Sequence, residues 1–476
     1  MSRETSLIKN TGILALGDFF PRFLTVIITP ILTAQLTKHE YGEYDLIVTM
    51  VSLLLPIATL QISSAAFRFL INNRDKKDEC QIIVSTIYTF VLVMAMLAGT
   101  GYYFSLGRKS GVIGLIISAY FVANIFLITT QQILRGMGNN LMYSISSIFQ
   151  AVISLTVIFF LTGGAGMRNL GLLGVVISLF LSSLVPCIVA IFKGKIISLI
   201  DVKKFSFAKL KVLLSYSWPM VPNNLSSWVL TLSDRLVITA FLGIEANAMY
   251  AVANKLPQIF NSMQGTFIMA WQENAALASE DNDKDEYYSR MCDWVYRLLT
   301  GLMAGLIMCT PVIWRLLIRG EYSDAYYQLP VLYMGMLFSC MSSTLGGIYI
   351  AHMKTKSVGL TTMAAAAVNL FIDFALIKIV GMWAGSLSTM ISYLVLWIYR
   401  MIDIQKFQEV RINKRIIVGS IVSLIIMAIV CFQNTLFCNL VNVVICCIVL
   451  ALFDRDIITF AIRFLNKKMN RRKENE

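Results

Sequence analysis

The chain has 476 residues, of which 57% are hydrophobic and only 14% charged, and its mean hydropathy is +0.71. That balance excludes an ordinary soluble domain and points to a polytopic membrane protein. The net charge of +13 needs no nucleic acid as a partner, because the basic residues gather in loops on one side of the expected membrane.

Apolar runs bounded by charged or turn residues predict about fourteen helices, at 11–36, 45–70, 81–106, 111–134, 142–162, 170–192, 212–242, 247–272, 291–318, 328–350, 357–379, 384–400, 415–434 and 438–453. Most are close to the ~20 residues that cross a bilayer, and the alternation of a membrane β-barrel is absent. The expected fold class is an all-α polytopic membrane protein. No apolar segment with a small-residue cleavage site opens the sequence, so the first span is expected to be its own insertion signal.

That first span contains LALGDFFPRFLTVIITPILTAQL, with Asp18, Pro21 and Arg22 among its apolar residues. Asp18 and Arg22 are four apart and share a helix face, while Pro21 removes a backbone hydrogen bond between them. Each charge costs ~2.5–3.5 kcal/mol at the bilayer centre, which the surrounding Leu, Ile, Phe and Val nearly offset at ~0.3–0.6 kcal/mol apiece. Such a helix inserts but turns the charged face away from lipid. The two residues either form an ion pair that fixes packing or face a ligand cavity; Arg22 lies ~16 Å into the span, near the midplane, which favours the cavity.

Span seven, SYSWPMVPNNLSSWVLTLSDRLVITAFLG, contributes Asn223, Asn224, Ser226 and Ser227, then Asp234 and Arg235. Adjacent residues on a helix do not face each other, so Asp234 and Arg235 each need a partner elsewhere, in a structural or gating role. Lys255 is a candidate for Asp234. In span eight Asn254, Gln258 and Asn261 follow helical spacing down one face, with Lys255 and Ser262 beside them. This stripe either hydrogen-bonds neighbouring helices or lines a ligand path. In span eleven Asn369 and Asp373 could bind a coupling cation or pack as a polar pair. Arg68, Arg297, Arg315 and Lys378 sit near span ends, where long basic side chains snorkel to the interface.

If the N-terminus is cytoplasmic, that side holds most of the 40 Lys and Arg residues, and the opposite loops hold only Lys38, Arg108, Lys109, Arg168 and Arg319. Both termini are therefore expected inside, with the tail NKKMNRRKENE as a membrane-surface anchor. TAQLTKHEYGEYDLIV from Thr33 and TAFLGIEANAMYAVAN from Thr239 align at an offset that also pairs Tyr44 with Tyr250. The implied organisation is a six-helix lobe at 1–192, a basic cytoplasmic linker at 193–211, a second lobe at 212–400, two extra helices within 401–453 and a basic tail at 454–476. All nine prolines fall within a span or at its edge, and the first helix of each half holds two, so bent helices are expected in corresponding positions around a site between repeats.

Cations without matching carboxylates favour an anion, guanidinium suits phosphate, and Asn, Gln, Ser and Tyr supply what sugars need. A phosphorylated glycan fits. The sequence has no GxxxxGK[ST] motif, no loop long enough for a transferase domain and no assembled catalytic set, so no catalytic residues are assigned. Its nine cysteines lack CxxC spacing, and with two histidines they suggest neither metal nor other cofactor. Free thiols are expected, with Cys431 and Cys438 the one pair flanking a short loop.

The stretches KNTGILALGDFFPRFLTVIITPILTAQLTKHEYGEYDLIVTM and WPMVPNNLSSWVLTLSDRLVITAFLGIEANAMYAVANKLPQIF resemble the Wzx-type oligosaccharide flippases of the multidrug/oligosaccharidyl-lipid/polysaccharide (MOP) exporter superfamily. The likeness rests on the first-span arginine, EYG in the first outer loop, DR-x-x-I followed by Leu-Gly, and a Tyr-containing eighth span. It implies a MATE-like, V-shaped, two-lobed fold that alternates between inward- and outward-open forms. It also implies a bacterial cytoplasmic membrane location and carriage of a polyprenyl-diphosphate oligosaccharide to the outer leaflet. Arg22 matches the family's first-span cavity arginine, Lys255 a basic eighth-span position of related lipid flippases, and Asp234 with Arg235 the family's aspartate–arginine pair. Membrane lipid and glycan-assembly enzymes are the further partners considered. The alternatives are a cation-coupled drug or metabolite antiporter of the same fold, relying on Asp373 or Asp18, and a non-transporting scaffold for glycan assembly.

Overall fold

The computed structural model describes residues 3–163 and 169–453, without the side chains of 3–16, Asp18, Leu106, Lys109, Ile259, Ser262, Met263, Thr266, Met269, Ala270 and Glu280. Asp18, Ser262, Arg168 and the basic tail 454–476 of the sequence reading thus lie outside the described residues. No strand occurs among the described residues. The chain divides into two compact units, Met1–Ala251 with Leu317–Glu321, and Val252–Leu316 with Tyr322–Glu476. These units are defined by packing, whereas the repeat halves are defined by sequence offset, and the two divisions are different quantities.

In the first unit the helices are α1 (Arg3–Gln35), α2 (Lys38–Thr59), α3 (Ile62–Ile71), α4 (Lys77–Tyr102), α5 (Gly111–Gly136), α6 (Asn140–Leu161), α7 (Leu172–Lys193), α8 (Phe207–Ser217), α9 (Met220–Leu242) and α10 (Ile244–Ala253, whose last two residues fall in the second unit). The second unit holds α11 (Lys255–Leu277), α12 (Lys284–Leu317, whose last residue falls in the first unit), α13 (Leu329–Ala351), α14 (Thr355–Val380), α15 (Trp383–Ile404), α16 (Lys414–Phe432) and α17 (Leu436–Phe453).

Among the described residues 12 helices are long and apolar enough to cross a membrane, against about fourteen expected. The other two expected spans are α1, which qualifies only as the shorter stretch Phe19–Gln35, and α11, whose amide stripe and Lys255 lower its hydropathy. Three spans read as continuous are broken. Span two stops at Leu60 and Gln61, both left-handed with φ of 48° and 56°. Span seven divides into α8 and α9 at Trp218–Pro219, and span eight into α10 and α11 at Asn254. Pro222 and Pro257 lie in the first turns of α9 and α11, where a missing N–H costs nothing.

By contrast, α1 continues through Pro21 and Pro30. Its threonines bond back along the helix, Thr25 Oγ1 to the Pro21 carbonyl at 3.0 Å and Thr29 Oγ1 to the Thr25 carbonyl at 2.9 Å. The chain leaves α1 through Thr37, whose hydroxyl accepts from the Glu40 N–H while the Glu40 carboxylate accepts from the Thr37 N–H. This reciprocal cap starts α2.

Within the first unit α5 packs against α3, α4, α6 and α7, around a core that includes Ile87, Val91, Phe121, Ile125 and Ile133. The 193–211 segment is stitched to α4 rather than hanging as a loose tether. Ser85 Oγ donates to the Leu199 carbonyl at 3.2 Å and accepts from the Asp201 N–H at 2.9 Å, and Lys204 and Lys209 pair with Asp78 and Glu79 at 3.0 and 2.8 Å.

In the second unit α13 is the central helix. It is buried nearly all round, as a helix apolar on every face must be, and the Trp397 ring stacks between Phe338 and Tyr296 with centroids 5.6 and 6.2 Å away.

Candidate functional site

Arg22 is half-buried on α1, held in a helix whose threonine bonds keep it continuous beside Pro21. The Asp18 half of the expected ion pair is among the side chains left undescribed.

The buried charges of the first unit converge where α2, α9 and α10 meet. Arg235 Nη1 lies 2.8 Å from Asp45 Oδ1 and 3.4 Å from the Thr49 hydroxyl. Only 4% of Arg235 and 2% of Asp45 are exposed, so the pair is shielded from solvent screening. Asn247 on α10 donates to Asp45 Oδ2 and to the Gly42 carbonyl, both at 3.4 Å. Gly42 is what allows this approach, since a Cβ there would collide with the Ile244 backbone. Asp234 faces the other way round α9 and accepts a 2.5 Å hydrogen bond from the Tyr250 hydroxyl. A further α9–α2 link runs from Trp228 Nε1 to Ser52 Oγ at 2.9 Å.

Asp45 and Asn247 were not singled out in the sequence. Asp45 fell at the edge of the second expected span, and its partner lies 190 positions away. The available signal was Tyr41, Asp45 and Thr49, spaced four apart on one face of α2. Asn224 is exposed on α9, and its amide donates to the Met220 carbonyl of its own helix at 3.0 Å.

In the second unit Lys255 opens α11 directly after the break at Asn254. The turn persists through the break, because the Gln258 N–H reaches the Asn254 carbonyl at 3.0 Å. Asn254, Lys255, Gln258 and Asn261 are all half-buried. The Asn261 amide oxygen has no hydrogen-bond partner among the described residues. Further along, Gln264 and Trp271 donate to the Cys340 and Thr344 carbonyls of α13 at 3.1 and 2.8 Å. One stretch of α11 is therefore fastened to α13, while the stretch before it carries amides that a sugar or phosphate can use.

Asp373 and Asn369 are buried on α14, and the Ser388 hydroxyl of α15 donates to Asp373 at 2.6 Å. A second buried cation, Arg400, sits near the end of α15, at the close of the expected span 384–400. Its guanidinium donates to the Ser342 carbonyl at 2.7 Å, to the Val358 carbonyl at 3.2 Å and to the Thr361 and Thr362 hydroxyls at 3.1 Å each. It ties α13, α14 and α15 together without a carboxylate.

The family model described as "Polysaccharide biosynthesis protein" matches residues 7–272, more than half of the chain. No curated protein sequence matches it significantly. Among solved structures, an inward-facing multidrug resistance MATE family transporter of the MOP superfamily is similar with TM-score 0.67 and 13% identity, over 83% of this chain and 95% of that one. A MOP superfamily transporter from Pyrococcus furiosus is similar with TM-score 0.59 and 12% identity, over 83% and 96% of the two chains. A Vibrio cholerae MATE transporter mutant is similar with TM-score 0.56 and 12% identity, over 84% and 98%. The chain belongs to the polysaccharide biosynthesis protein family and has the fold of the MATE transporters of the MOP superfamily.

Proposed function

We propose that this protein is a flippase that moves a polyprenyl-diphosphate-linked oligosaccharide from the cytoplasmic to the outer leaflet of a bacterial cytoplasmic membrane by alternating access. Family membership is the observation that carries the reading. The basic and amide groups at membrane depth support it. Arg22 and Lys255 each engage the diphosphate in the course of the cycle, and Asn224, Asn254, Gln258 and Asn261 solvate the sugars. The prenyl tail stays in lipid throughout. Asp234 and Arg235, the latter with Asp45, act as gating contacts, and both termini face the cytoplasm.

The work is physical, with no bond made or broken. A ligand drives reorientation only by binding one state better than the other. Any assistance from the membrane potential acts on net charge moved, at ~2.3 kcal/mol per charge per 100 mV. The test is surface display of the lipid-linked glycan in cells carrying Arg22→Ala or Lys255→Ala. Both variants are expected to lose display; normal display in both removes the role assigned to these cations. Loss confined to Asp373→Asn would favour a cation-coupled antiporter, for which the buried Asp373 is the candidate site.

A further inference from the structure

Arg135 closes α5 at the end of the first unit where α6 begins. Its guanidinium carbon lies 4.8 Å from the centre of the Phe67 ring on α3 and 5.2 Å from that of Tyr143 on α6. Two aromatic rings thus hold a planar cation that is only half-buried. No hydrogen bond or ion pair from this guanidinium occurs among the described residues. A basic residue in the last turn of a helix commonly serves the free carbonyls there, but on α5 Arg74 already does so. Arg74 Nε donates to the Gly136 carbonyl at 2.7 Å and its Nη2 to the Arg135 carbonyl at 3.1 Å. One turn back, Gln131 Nε2 lies 3.3 and 3.4 Å from the Ser146 and Ser147 hydroxyls of α6. Arg135 is therefore oriented by stacking, relieved of capping, and without a hydrogen-bond partner for its N–H groups among the described residues.

A guanidinium fixed in this way suits an oxyanion with two oxygens to offer, and phosphate esters are the class that matches its fork. The helix that carries Arg22, α1, packs along α6, whose Tyr143 stacks on Arg135. There Gly17 comes so close to Ser144 that a Cβ would overlap it. Arg22 is five residues beyond Gly17, or ~7.5 Å along the helix. We infer that Arg135 is a phosphate-binding residue, a receiving position that precedes Arg22 on the path into the first unit. The anion is a phosphate ester or diphosphate. Its identification as the cargo's diphosphate, rather than a phospholipid headgroup, rests on the flippase reading above.

The test uses the full-length protein in dodecyl maltoside micelles, which carry no phosphate, treated with phenylglyoxal, which modifies accessible guanidinium groups, with the rate at Arg135 followed by peptide mass spectrometry. Three probes are added separately: inorganic diphosphate, a polyprenyl-diphosphate disaccharide and phosphatidylglycerol. A bound phosphate is expected to slow modification of Arg135 by about tenfold or more while exposed Arg411 reacts at an unchanged rate. Protection by the disaccharide lipid but not by phosphatidylglycerol assigns the site to cargo. Equal protection by phosphatidylglycerol assigns it to a lipid headgroup. Unchanged reaction of Arg135 with all three probes overturns the site. If Arg135 is protected yet cells lacking the protein display glycan normally, the flippase reading fails and the phosphate site stands; the opposite pattern removes only the site.

Discussion

Among the described residues each unit buries one arginine to the same degree, Arg235 in the first and Arg400 in the second, both 4% exposed, and the two are satisfied in opposite ways. Arg235 is balanced by the carboxylate of Asp45, yet its Nε and Nη2 atoms have no hydrogen-bond partner among the described residues. Arg400 pairs with no carboxylate among the described residues, but all three of its nitrogens are engaged by carbonyls and hydroxyls. The carboxylate one turn further along α15, Asp403, is taken by Tyr349 at 2.9 Å and Lys406 at 2.8 Å. One site is rich in charge and poor in hydrogen bonds, the other the reverse. A guanidinium with spare donors can take new partners when its pair opens, and opening has to supply them because the charge is buried. A guanidinium that has committed every nitrogen to three helices fixes them. This contrast is why gating is assigned to Arg235 and a static role to Arg400.

The sharpest way to break the comparison is Asp45→Ala. It leaves Arg235 buried without its counter-charge and is expected to cost about 3–5 kcal/mol, read as a lowered melting temperature of the purified protein. Removing both charges in Asp45→Leu with Arg235→Leu should recover most of that loss. Equal stability of Asp45→Ala and wild type would show that the pair carries no weight. Next, Arg400→Met is expected to cost about 2–3 kcal/mol through orphaned acceptors, measured in the same melt.

Smaller effects sharpen the contrast. Gly346 leaves room for the clamp, since a Cβ there would sit 3.2 Å from Arg400 Nη1. Gly346→Ala should therefore press the guanidinium off the Ser342 carbonyl, at about 1 kcal/mol. Tyr250→Phe removes the hydrogen bond to Asp234 and is expected to cost about 0.5–1.5 kcal/mol, the range for such bonds inside membranes. Arg411→Ala, which breaks an ion pair with Glu409 in which Arg411 is 81% exposed, should leave the melting temperature unchanged. A clear loss there would mean that surface charge, rather than burial, sets the scale.

The helical class and most spans were legible in the sequence, because runs such as 111–134 and 170–192 leave no other structure possible in lipid. The helix breaks were less so. Leu60 and Gln61 adopt left-handed backbone with no glycine or proline to announce it. Proline alone does not decide the outcome, since α1 passes through Pro21 and Pro30 while α8 and α9 separate at Pro219. In the candidate site, the need of Arg235 for a distant partner could be read from its neighbour Asp234. The identity of that partner could not, because it depends on tertiary packing between α2 and α9. Nothing in the sequence singles out Arg400, the last residue of the expected span 384–400; its burial is set by Gly346 and by the threonines of α14, a pattern with no linear signature.

The central claim is that the protein moves a lipid-linked oligosaccharide across a bilayer. The direct measurement places purified protein in vesicles with a fluorescent polyprenyl-diphosphate oligosaccharide in one leaflet and follows its exposure to a membrane-impermeant quencher. Wild type is expected to carry the probe to the other leaflet, and Arg22→Ala to slow that transfer sharply. Equal transfer by wild type and Arg22→Ala would remove only the role given to Arg22; exposure no faster than in protein-free vesicles would contradict the account.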